Sequence, residues 1–148
     1  MSNVEQFKEI ITQIPFKRND LSLVNREENQ PLFEELFQIY KDSSALEKSE
    51  INTFVQNDID LSYKLVHWIP PYLESAPELY VEYRLISATI RNGTPDFRDD
   101  LLELVHLWDF LEEKGLNAKQ IFENANQICG SVLFDQVMNS KRREELRF

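Results

Sequence analysis

Apolar positions in this chain recur every three and four residues along nearly its whole length, the period of amphipathic helices, and nowhere sustain the alternation of a strand. Start and stop signals cut the pattern into segments. Ser2 with Glu5, Ser44 with Glu47, Ser75 with Glu78 and Asn117 with Gln120 have capping-box spacing, in which the first side chain accepts from the first turn and the second reaches back. Thr94-Pro95 reads as a cap followed by proline at the first helical position, where its missing N–H does no harm. Gly93, Gly115 and Gly130 each stand where a helical pattern runs out, and Pro15 and Pro70-Pro71 close two further segments.

These marks predict helices over 3–14, 31–41, 45–56, 59–69, 76–92, 95–114, 118–129 and about 131–145, with an ordered loop over 16–24. Most connections are short, so consecutive helices are antiparallel neighbours. The expected fold is all-α: a compact bundle or short stack of seven to eight antiparallel helices, one domain over residues 1–148, with no substantial sheet.

Both histidines and both tryptophans fall in two similar stretches, KLVHW at 64–68 and ELVHLW at 103–108, thirty-nine residues apart. That offset lies within the range of helical repeats, yet it sets Trp68 against Leu107, Pro70 against Asp109 and Tyr72 against Leu111, so no sequence repeat follows. On a helical wheel Phe97, Leu101, Leu104, Val105, Trp108 and Leu111 form one core stripe, and His106 lies away from it beside Asp99, Glu103, Phe110 and Glu113. In the earlier helix Ile59, Tyr63, Val66 and Ile69 make the expected stripe, leaving His67 with Asp60 and Lys64 on the polar side. Each Leu-Val-His is thus two core positions followed by one turned outward.

The 148 residues suffice for one self-supporting core, and an apolar fraction of 42% is too high for a disordered chain. No apolar run spans a bilayer and the first ten residues lack a signal-peptide pattern, which makes a cytoplasmic protein the expectation. Cys129, the single cysteine, sits in an apolar context as an expected inert core thiol. Net charge is −10, concentrated in residues 27–113, which hold 19 acids against 6 bases. Such a field repels nucleic acid and anionic lipid and speeds encounter with a basic partner; it also serves simply to keep a protein soluble.

Little catalytic chemistry is legible. The three glycines form no phosphate-cradling loop, and no G-x-S-x-G elbow occurs, so no cofactor is expected. Glu103 and His106 have the E-x-x-H spacing used in di-iron bundles, but Lys64 stands three residues before His67, so a second such motif is missing. Asp99, Glu103 and His106 remain a three-ligand alternative. Asp99 and Asp100 read as solvated charges favoured by a helix N-terminus.

Two stretches resemble interface material. Phe110 lies opposite the core stripe and is bordered by Asp99, Glu103, Asp109 and Glu113, an aromatic anchor with an acidic rim, unless that helix is buried on both sides. The proline-stiffened stretch 68–83 sets Trp68, Tyr72, Tyr80 and Tyr83 beside Glu74, Glu78 and Glu82, unless those rings plug the core. The basic residues Lys141, Arg142, Arg143 and Arg147 near the end of the chain complement a helix dipole or fold back onto the acidic middle.

The sequence therefore points to a noncatalytic acidic module that binds a basic protein through Glu103, Asp109, Phe110, Glu113, Tyr72, Glu74 and Glu78, with no bound metal. One concrete version is an immunity or antitoxin-type inhibitor covering the cationic site of a nuclease-like toxin. The alternatives are a small helical enzyme or ligand carrier with an inter-helix pocket, metal-dependent through Glu103 and His106, and a self-assembling subunit, the oligomeric state being open.

Overall fold

Local capping fixes most helix boundaries close to where the sequence sets them. The computed structural model describes residues 1–129 and 133–145, with side chains as far as residue 141, and among these residues the chain is all-α. The helices are α1 (Asn3–Gln13), α2 (Gln30–Asp42), α3 (Ala45–Gln56), α4 (Ile59–His67), α5 (Pro77–Arg91), α6 (Phe97–Glu113), α7 (Ala118–Cys129) and α8 (Phe134–Glu145). Ser2 Oγ accepts from the Glu5 amide, Ser44 and Glu47 form a full capping box, and Asn117 Oδ1 accepts from the Gln120 amide. The segment 16–24 is not strand: Asp20 N–H donates to the Lys17 carbonyl, and a 3-10 turn follows over Leu21–Asn25.

Two expected caps are absent. Helix α5 starts at Pro77 with Ala76 before it, so Ser75 and Glu78 do not form the expected box. Helix α6 starts at Phe97 with Asp96 before it; Thr94 and Pro95 lie in the preceding turn, where the Thr94 carbonyl accepts from the Phe97 amide. The stop signals hold better. Gly93 and Gly115 have φ of 122° and 78°. After α6 the Gly115 amide donates to the Glu112 carbonyl and the Leu116 amide to the Leu111 carbonyl, which closes the helix with a Schellman motif. Gly130 lies outside the described residues.

The chain forms two compact units, Met1–Pro70 and Pro71–Phe148. In the first, α1 packs on α2 and α3, and α3 on α4. Val4, Phe7 and Ile11, three and four residues apart, bury one face of α1. Trp68 is buried, its ring stacked on Phe33 with centroids 4.5 Å apart and on Phe37 at 5.5 Å. A buried aromatic of this kind contributes about 1.5–3 kcal/mol through apolar area alone.

Helix α4 turns the other way from expectation. Leu61, Lys64 and Leu65 are buried, while Ile59 and Ile69 are 49% and 64% exposed. Helix α4 carries two opposed apolar stripes in nine residues, and the one ending at Trp68 faces the core. Lys64 follows it inward because its ammonium donates to the Ile11 carbonyl at 2.9 Å, one of the four carbonyls that the C-terminus of α1 leaves open. Burial lowers the Lys64 pKa, against the pull of Asp58 and Asp60.

In the second unit α5 packs against α6 and α7, and α6 against α7 and α8. Helix α5 is the enclosed one: Val81, Glu82, Tyr83, Leu85, Ile86, Ser87, Ala88, Ile90 and Arg91 are all buried. Trp108 of α6 is buried against Phe122 of α7 at 5.1 Å and Phe134 of α8 at 6.5 Å. Cys129 is buried as expected, its Sγ donating to the Ala125 carbonyl.

The left-handed backbone at Gly115 gives a direct test. A Cβ there would meet nothing within 4 Å, so the cost of a substitution is purely conformational. Gly115→Ala is expected to lower stability by about 1 kcal/mol, and Gly115→Asn by less, read from urea midpoints at unchanged slope.

Candidate functional site

All seven partner-binding positions expected from the sequence lie in the second unit, on α6 and in the segment entering α5. What positions them is the reversal from α5 to α6. Arg91, the last residue of α5, is 2% exposed, and its Nε donates to Asp100 Oδ2 at 2.8 Å; Asp96 lies at 4.0 Å from Nη2. Asp100 is therefore not the solvated charge expected. It is 5% exposed, and burial raises its pKa above the usual carboxylate range while Arg91 pulls it back.

With that end fixed, the outward side of α6 carries Arg98, Asp99, Leu102, Glu103, His106 and Glu113, all exposed, and half-buried Asp109 and Phe110. Glu103 is tied to Arg84 of α5, and Asp109 to Lys141 of α8. Lys114 sits with its ammonium 5.4 Å from the Phe110 ring centroid, so the ring is partly covered by its own helix end. Of the four α6 positions expected to contact a partner, Glu113 is the exposed acid with no tie to another helix among the described residues.

The second stretch is arranged differently. Trp68 and Tyr83 are core, and Tyr72 and Tyr80 are half-buried. The Tyr72 ring leans on Tyr83 at 6.1 Å, tilted by 48°, and the Ala76 amide donates to the Tyr72 carbonyl at 2.9 Å. Glu74 stands exposed within that turn and Glu78 in the first turn of α5.

Nothing here builds a metal centre. Among the described residues no three or more His, Cys, Asp or Glu side chains gather to hold a metal ion. The Glu103 carboxylate that the E-x-x-H spacing would use belongs to the Arg84 pair. Among the described residues, too, no helix is long and apolar enough to cross a membrane. No family model, curated protein or solved structure matches the chain.

Sequence reasoning missed the ion-pairing roles of Arg84 and Arg91, whose partners lie 19 and 9 residues away, whereas Lys141 folds back onto the acidic middle of the chain through Asp109, 32 residues away.

Removing one member of the buried pair leaves the other charge uncompensated. Asp100→Ala is expected to cost about 3–5 kcal/mol in urea denaturation, and the double change Arg91→Met with Asp100→Leu to cost less than that single one. The pH dependence has a definite sign. A carboxyl raised in the folded state contributes stability that is present below the ordinary carboxylate range and lost as pH rises through the raised value. Asp100→Asn is expected to remove that part of the fall, seen by comparing urea midpoints of both proteins from pH 4 upward.

Proposed function

We propose that this chain is a noncatalytic acidic helical module of the cytoplasm that binds a basic protein, with the contact centred on Tyr72, Glu74 and Glu78. The observation that carries the proposal is the exposure of Glu74 and Glu78, two and six residues after Tyr72, whose ring rests on buried Tyr83. An aromatic held in place before contact loses little entropy on binding, and exposed carboxylates at its edge steer a cationic surface toward it. Glu103 and Asp109 of α6 add less, because each is already paired within the unit.

The net charge of −10 works in the same direction over longer distance, attracting basic proteins and repelling nucleic acid and anionic lipid. One specific form of the proposal is an immunity or antitoxin-type inhibitor, in which the carboxylates occupy a toxin site built to hold phosphates. No group in the second unit is assigned a catalytic role.

The test is affinity capture from the native lysate at about 50 and about 300 mM salt, where screening lengths differ more than twofold. The wild-type chain is expected to retain a stoichiometric basic protein at low salt and lose it at the higher one. Glu74→Lys with Glu78→Lys is expected to capture none. Retention of the same protein by that variant, or the absence of any basic protein from the wild-type capture, would count against the proposal.

A further inference from the structure

We infer that the outward face of α6 pairs with the same face of a second copy of this chain, the two helices antiparallel about a two-fold axis at His106. Leu102, His106 and Phe110 are four residues apart and form one ridge along α6. Leu102 is 45% exposed and Phe110 half-buried, which leaves an apolar ridge on an otherwise polar helix side. Exposure alone does not select this face, since Leu46, Ile59, Ile69 and Ile128 are more exposed. The placement of charge does.

Arg98 lies one turn before Leu102 on the ridge, and Lys114 one turn after Phe110. Asp99 flanks the Arg98 end and Glu113 flanks the Lys114 end, all four being exposed. Between them Glu103 and Asp109 are already neutralised by Arg84 and Lys141. Among the described residues the face is therefore close to neutral, with opposite charges at each end, on a chain whose net charge of −10 repels its own copies. A basic partner would meet Arg98 and Lys114; a second copy meets their complements.

In the antiparallel arrangement Leu102 of one copy lies level with Phe110 of the other. Arg98 comes beside Glu113 of the second copy, and Lys114 beside its Asp99, and the symmetry repeats each contact. Parallel packing would also match opposite charges, but the antiparallel one sets the helix macrodipoles head to tail. One helix laid on one helix covers less than the roughly 1,200 Å² of stable complexes, so the pair belongs to the weak class, with dissociation constants of micromolar order or above.

Sedimentation equilibrium of the full chain from about 1 μM to about 1 mM tests this, spanning the affinities of that weak class. A reversible monomer–dimer equilibrium is expected, weakened about tenfold or more by Leu102→Asp and unaffected by Ile128→Asp. Arg98→Glu and Glu113→Arg should each weaken the dimer, and the two together should restore it, because the reversed pair is again complementary. Glu74→Lys should leave the dimer intact, which separates this surface from the partner site proposed above. A strictly monomeric mass across the range, a dimer indifferent to Leu102→Asp, or a double charge reversal without rescue would overturn the inference.

Discussion

The buried ion pair between Arg91 and Asp100 is the constraint on which the arrangement of the second unit turns. It joins the last residue of α5 to the first turn of α6 at the point where the chain reverses. Hiding two charges is costly unless their geometry is good, so the pair tolerates little sliding of one helix along the other. Arg84, two turns back along α5, also pairs with Glu103, one turn on along α6, so a second ion pair ties the same two helices. The pair thereby decides which side of α6 faces outward. The exposed ridge through Leu102 and His106 is a consequence of an interaction on the opposite side of the helix.

The first unit uses a buried charge in another way. Lys64 has no carboxylate at its head; its ammonium meets a helix-terminal carbonyl, Ile11, which carries part of the negative end of the α1 dipole. The long aliphatic stem allows this, filling apolar space on the way to a polar target. Both units thus place one cation inside to satisfy something that helix geometry or a turn leaves open. In neither is the cation an ordinary member of a hydrophobic core.

How much of this was legible in the sequence depends on distance along the chain. Capping at Ser2, Ser44 and Asn117 and the closure at Gly115 are settled by residues within one turn, and the sequence reading located all of them. The failed caps at Ser75 and Thr94 occurred where proline near the helix start left more than one way to enter the helix. The inverted face of α4 was not recoverable locally. Ile59, Tyr63 and Val66 lie on one side and Leu61, Leu65 and Trp68 on the other, and both stripes have helical spacing. Only the presence of Phe33, Phe37 and the end of α1 decides between them. Asp100 was misread for the same reason, since a carboxylate bound for burial reads in sequence like any solvated one.

That difference also reorders the acidic residues by what they can offer another molecule. A carboxylate already held by Arg84 or Lys141 projects a weakened field, however exposed its side chain. Among the described residues Glu74 and Glu78 make no such tie, and they follow closely in sequence a Tyr72 ring that leans on buried Tyr83. Charge density in the sequence pointed both to the middle of α6 and to the stretch after Tyr72, and folding leaves Glu103 and Asp109 of α6 paired. The neutralised middle of α6 becomes more suitable for contact with a like molecule, because the long-range repulsion between two chains of charge −10 is least where each has balanced its own charge. On the two proposals, the internal ion pairs determine which surface meets a cationic partner and which meets a second copy.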